Sequence, residues 1–151
     1  MEQLGLPPGA WARHSGPVSA LKNPMPRPRF ARSGDAMAFF APGFARLARE
    51  SLRVAHLDRE RRLIGVRLCY SELCDAVEFP FRTIIADALA LGGEGIVLAH
   101  NHPSGDPSPS AADLDVTRIL ADLARPLGIR LHDHLIFANG KWRSLRALGL
   151  M

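Results

Sequence analysis

The sequence predicts a single α/β domain in which a small mixed sheet is flanked by helices. Three observations carry this expectation. The chain has 151 residues, one domain's worth, enough to bury about two thirds of its unfolded surface. Residues 50–57 and 63–70 alternate polar and apolar on either side of a charged turn, the pattern of a hairpin. An apolar run from Ile96 is followed by a helical pattern and then a last long strand, so helices lie between strands.

Composition narrows the class. Hydrophobic content of 47% and charged content of 23% are ordinary for a soluble globular protein. No apolar run approaches the ~20 residues of a membrane span. The N-terminal text MEQLGLPPGAW lacks the basic-then-apolar order of a signal peptide, so a cytoplasmic location is expected, with no membrane partner. Cys69 and Cys74 are too few for a disulfide framework and lack the second close pair of a zinc knuckle, so they read as reduced core thiols.

Residues 1–34 are rich in Pro, Gly, Arg and Ser, follow no helix or strand period, and are expected to form a flexible or loosely draped arm. Five basic residues (Arg13, Lys22, Arg27, Arg29 and Arg32) face only Glu2 there, so the arm holds the whole net charge of +4. Residues 35–151, the expected folded domain, are formally neutral. The arm's basic residues suit contact with nucleic acid, although a solvated tail is the commoner meaning of such a cluster.

From Asp35 to Arg49, apolar residues recur at spacings of three and four, predicting a helix interrupted or restarted at Pro42-Gly43. Glu50 to Leu57 reads as a strand with Glu50, Leu52 and Val54 on one side. An acid in register with apolar residues needs a task or a partner. After the turn at Asp58-Arg-Glu-Arg-Arg, Leu63 to Tyr70 returns as the second strand, and Ser71 to Phe79 reads as irregular. Pro80 opens a helix through Leu91, closed by Gly92-Gly93.

Ile96 to His102 reads as a buried strand end on which Ile96, Leu98, His100 and His102 share a face, with the two histidine backbones about 7 Å apart. That spacing lets both imidazoles converge on one ion. Pro103, Gly105, Pro107 and Pro109 enforce a stiff irregular loop. Ser110 then reads as an N-cap, with Asp113 in the first turn of a helix reaching about Pro126, where the orphan N–H groups favour the ionised carboxylate a metal needs. The helix carries a polar stripe of Asp115, Arg118, Asp122 and Arg125. At 100° per residue Asp113 lies roughly 160° from that stripe and faces inward. Ile129 to Phe137 forms the last long strand, and Asn139-Gly140 turns into a short strand at Trp142.

The text His-x-His, seven residues, Ser, two residues, Asp resembles the JAMM signature of the JAB/MPN metalloprotease-like domains. HNHPSGDPSPS together with LGIRLHDHLIF is similar to the RadC family within that group, over roughly Asp35 to the C-terminus. The resemblance implies a JAB/MPN-type (cytidine-deaminase-like) fold, with one zinc ion per chain held by His100, His102 and Asp113. It also implies an oxyanion-supporting role for Ser110 and a general-base role for Glu50.

The residues argue in the same direction. Two histidines and a carboxylate leave a fourth zinc position for water, whose pKa falls toward about 7. Lone histidines are more often core residues bonded to backbone, but two in register with an inward acid favour a metal. Ser110 and Asp113 also satisfy a capping box, a reading compatible with a site. Glu50 is preferred as base over Glu72, Glu78 and Glu94, which read as solvated loop carboxylates. Asp133, in register with Leu131, Leu135 and Phe137, is expected to point inward, either to a ligand histidine or, more simply, to a buried pair with His134. His14 and His56 have no supporting pattern.

The chain lacks H-E-x-x-H and lacks H-x-E with P-C-x-x-C, which disfavours zincins and zinc deaminases. A non-haem iron triad uses similar ligands, but often on an all-β fold that helices between strands do not suit. The expected activity is therefore hydrolysis of an amide or isopeptide bond. The alternatives are a repair or mobile-element factor acting near nucleic acid, as the RadC resemblance implies, and a catalytically silent interaction domain.

Overall fold

The computed structural model describes residues 18–21, 26–45, 47–70 and 79–151. Along the chain these form β1 (Ser19–Ala20), α1 (Ser33–Phe44), β2 (Ser51–Leu57), β3 (Leu63–Tyr70), α2 (Phe81–Leu91), β4 (Gly95–Asn101), α3 (Ala111–Ala124), a 3-10 turn (Arg125–Leu127), β5 (Arg130–Ala138) and β6 (Lys141–Ser144). The strands make one sheet in the order β1-β3-β2-β4-β5-β6. β4 and β5 run parallel and are joined through α3, while every other neighbouring pair is antiparallel. This is the expected mixed sheet.

Helices cover both faces. Ile84 and Ala88 of α2 and Leu120 and Ala124 of α3 pack on Leu52, Val54, Ile96 and Leu98. On the other face, Ala36, Phe40 and Phe44 of α1 pack with Phe30 on Ala55, Val97, Ala99, Leu135 and Phe137. β4, between the two layers, is buried along its whole length, which is why its sequence shows an apolar run rather than an alternation.

Most of the expected arm, residues 1–17 and 22–25, lies outside the described residues, as do Cys74, Glu72, Glu78 and the stretch 71–78. In the described part, Phe30 is 4% exposed, and the Leu63 N–H bonds to the Pro28 carbonyl at 2.8 Å. Cys69 is a buried free thiol, as expected.

The helix expected to break at Pro42-Gly43 runs unbroken to Phe44. Pro42 falls in its last turn, so the bond it cannot give to the Ala38 carbonyl is lost with little helix left beyond it to be kinked. Gly43 is required for a different reason: the Arg53 guanidinium lies where its side chain would be. From there Arg53 Nη2 donates to the Gly43 carbonyl at 2.9 Å and stacks over the Phe44 ring. The other boundaries lie within one or two residues of the expected ones, and Gly92 closes α2 in the left-handed conformation (φ 65°). No helix among the described residues is long and apolar enough to cross a membrane.

Candidate metal centre

The end of β4 delivers His100 and His102 to one place, and the start of α3 delivers Asp113 to the same place. His100 Nε2 lies 2.9 Å from His102 Nε2 and 3.1 Å from Asp113 Oδ1, while His102 Nε2 lies 3.1 Å from Asp113 Oδ2. Tetrahedral zinc with bonds of ~2.0–2.1 Å holds its ligand atoms about 3.3 Å apart, so the three donors need to open only slightly to accept the ion. The chemistry of the set fits as well, being two imidazoles and one buried carboxylate.

Each side chain is anchored by local structure. Ser110 caps α3 by accepting the Asp113 N–H at 3.1 Å, and its own N–H donates to Asp113 Oδ2 at 2.7 Å. The capping box therefore fixes the carboxylate that faces the histidines. The stiff loop after His102 folds back so that the Asp106 carbonyl sits 2.8 Å from His102 Nδ1. A carbonyl only accepts, so Nδ1 carries a proton there, and Nε2 is the nitrogen that faces Asp113.

Electrostatics follow the geometry. Burial would raise the Asp113 carboxyl, but the His100 and His102 imidazoles beside it outweigh this and hold the group well below the usual carboxylate range. His102 is raised by its hydrogen bond to Asp113, with Glu50 adding to the rise. Glu50 comes into range through strand pairing. The β2–β4 register sets Leu52 across from His100, and continuing it by one antiparallel step of two residues sets Glu50 across from His102. Asn101 clamps that step: its Oδ1 accepts the Ser51 N–H at 2.7 Å and its Nδ2 donates to the Arg49 carbonyl at 2.8 Å. Both peptide groups flanking Glu50 are thereby tied to the metal strand.

The sequence profile described as RadC-like JAB domain matches residues 30–150. The chain belongs to that family. A protein of Rhodobacter capsulatus named "UPF0758 protein" is 41% identical over 102 residues, which is 68% of this chain and 48% of the relative. The chain thus spans about half the length of that curated relative.

Within this RadC-like JAB domain, Asp133 points inward and takes the structural one of its two expected roles, with serines as its main partners. Asp133 touches neither ligand histidine. Its carboxylate takes the Ser144 hydroxyl at 2.9 and 2.7 Å, the Ser33 hydroxyl at 2.5 Å and the His134 N–H at 2.8 Å. It ties α1 and β6 to β5. The cause is a bulge: Ile96 pairs with Leu131 but Val97 with Asp133, leaving His132 as an extra residue. One extra residue reverses every later side chain. Leu131 faces α3, Asp133, Leu135 and Phe137 face α1, and His134 turns toward His100.

His134 Nε2 meets His100 Nδ1 at 2.7 Å, and its Nδ1 meets Thr117 Oγ1 at 2.6 Å. Thr117 and Asn101 are the polar residues that sequence reading missed. The one available signal for Asn101 was an amide inside an otherwise apolar strand, and Thr117 looked like any residue on a buried helix face. Glu94, offered as a rival base, is exposed just before β4, about 20 Å of strand away from His100. His132 lies at that same far end, its ring against Gly95.

Proposed function

We propose that this RadC-like JAB domain is a zinc-dependent hydrolase of amide or isopeptide bonds, a metallopeptidase. The observation that supports this best is the meeting of His100 Nε2 and His102 Nε2, 2.9 Å apart, with each 3.1 Å from one oxygen of Asp113 and Glu50 in register across from His102. Three protein ligands leave coordination positions open for water and a substrate carbonyl, the arrangement of a catalytic rather than a structural site. When bound, zinc supplies a Lewis acid that brings the pKa of a water toward about 7 and polarises a carbonyl.

The chain's own residues supply the remainder. Glu50 accepts the proton of the attacking water and returns it to the departing amine, a task that needs a carboxylate one hydrogen bond from that water. Ser110 Oγ, already accepting the Asp113 N–H, keeps its hydroxyl proton free to be donated to the oxyanion that develops on the attacked carbonyl. Asn101 keeps the Glu50 backbone in place during this cycle.

Metal analysis and a substrate screen test the reading together. The parent protein should carry near-stoichiometric zinc, and His100→Ala with His102→Ala should carry none. Glu50→Gln should keep the zinc while losing most of the hydrolysis of whichever peptide or isopeptide the parent cleaves, a loss of about 10²–10⁴-fold. Equal zinc in the parent and the double variant would remove the site, and full activity of Glu50→Gln would remove the base.

A further inference from the structure

Resting on that metal reading, we propose that His134, backed by Thr117, is a positioning residue that fixes the tautomer and aim of His100 so that its Nε2 is presented to the ion. The hydrogen-bond donors follow one another along an unbroken buried chain. Thr117 Oγ1 lies 2.5 Å from the Asp113 carbonyl, which has no proton to give, so the threonine hydroxyl must donate there. Its lone pairs are left to accept from His134 Nδ1 at 2.6 Å.

His134 is 1% exposed, and its two ring nitrogens meet one partner each, Thr117 Oγ1 and His100 Nδ1. With its proton on Nδ1, its Nε2 is an acceptor. The His100 Nδ1 that faces it at 2.7 Å therefore carries the proton, and His100 Nε2 is left as a bare lone pair. The chain runs from the Asp113 backbone to the opposite side of the same site, so one helix residue both supplies a ligand and starts the relay that orients another.

The two histidines thus reach the same state by different means. His102 is held by the Asp106 carbonyl of its own loop, whereas His100 depends on a strand and a helix remote in sequence. Both present Nε2, and those two nitrogens stand 2.9 Å apart beside a carboxylate. Three electron-rich groups so placed repel one another unless a cation or a proton lies among them. The relay excludes the protonated-Nε2 tautomer of His100 that would fill the place with a proton from that side.

Zinc affinity, measured by competition with a chromophoric chelator, tests this alongside the ring-nitrogen protonation state of His100 from ¹⁵N NMR. His134→Leu removes the acceptor and should weaken zinc binding about 10- to 100-fold, with His100 no longer locked as the Nδ1–H tautomer. His134→Gln restores an acceptor and should recover most of the affinity, a rescue that a merely space-filling role would not give. Thr117→Val keeps the shape, removes the hydroxyl and should shift affinity in the same direction by less. Melting of each metal-free variant reports whether it folds, and Thr117→Val decides the matter if His134→Leu does not. A parent that binds no zinc would sink the metal reading together with the relay. A zinc-binding parent matched in affinity and His100 tautomer by the folded variants would overturn the relay alone.

Discussion

His56 is fully buried on β2, and neither ring nitrogen has a hydrogen-bond partner among the described residues. Its Nε2 stands 3.8 Å from Asp87 Oδ2. Burial lowers its pKa to about 4 against 6.5 for the free side chain, the nearby Asp87 carboxylate offsetting only part of this. Between those values the unfolded chain binds the proton and the folded chain does not, so stability falls as pH drops from 6.5 and stops falling below about 4. The full effect is on the order of 3 kcal/mol. His132, also lowered to about 4 by burial and nearby arginines, acts in the same window, while the raised pKa of His102 opposes it. In metal-free protein, His56→Leu should flatten the acid limb of the melting temperature between pH 6.5 and 4. A variant whose curve runs parallel to the parent's would show that this imidazole is not its source.

Among the elements, β5 shows how a local pattern can mislead. Strict alternation puts Asp133 with Leu131 and leaves a ligand histidine open as one of its two expected partners. The bulge at His132 reverses that phase and gives that partner to His134. Nothing in the strand's own text marks the bulge. Its cause lies on the neighbouring strand, where Gly95 leaves room for the His132 ring 2.7 Å from where a Cβ would stand, with Leu57 Cβ at 3.2 Å. Gly95→Ala should therefore cost about 1–3 kcal/mol through overpacking, read as a lower denaturation midpoint with an unchanged slope. Full parental stability would mean that the bulge tolerates a methyl group. α3 is the opposite case. Its capping box is a short-range device, so Ser110 and Asp113 could be placed from four consecutive residues.

At the scale of the whole molecule, the sheet is sandwiched between α1 on one face and α2 with α3 on the other, and the candidate centre sits where the parallel pair ends. The α2 layer is not wholly apolar. Arg67 of β3 and Asp87 of α2 form a bidentate ion pair beneath it, with Nη2 to Oδ1 at 2.7 Å, both residues under a tenth exposed. A buried pair of this kind is costly to break but not to replace. Asp87→Leu alone should lose about 3–5 kcal/mol, and Arg67→Met with Asp87→Leu much less, as chemical denaturation would show. Equal losses would mean that the pair itself, rather than the stranded charge, holds the layer.

The sequence by itself determined β2 to β6, α2 and α3 to within a residue or two, though not β1 or the end of α1, and it brought together His100, His102, Ser110 and Asp113. These depend on periodicity within a strand, proline stiffness and helix capping, all of which act over a dozen residues or fewer. It could give Glu50 an inward register but not a neighbour, and it could not choose between Asp133 and His134. Those outcomes depend on which strand lies beside which, and in what phase. The pairing of β2 with β4 and the bulged pairing of β4 with β5 are set by side chains packing between segments 30 to 50 residues apart. No spacing along one chain records that distance, so only the assembled sheet puts Glu50 opposite His102, and Thr117 and His134 behind His100.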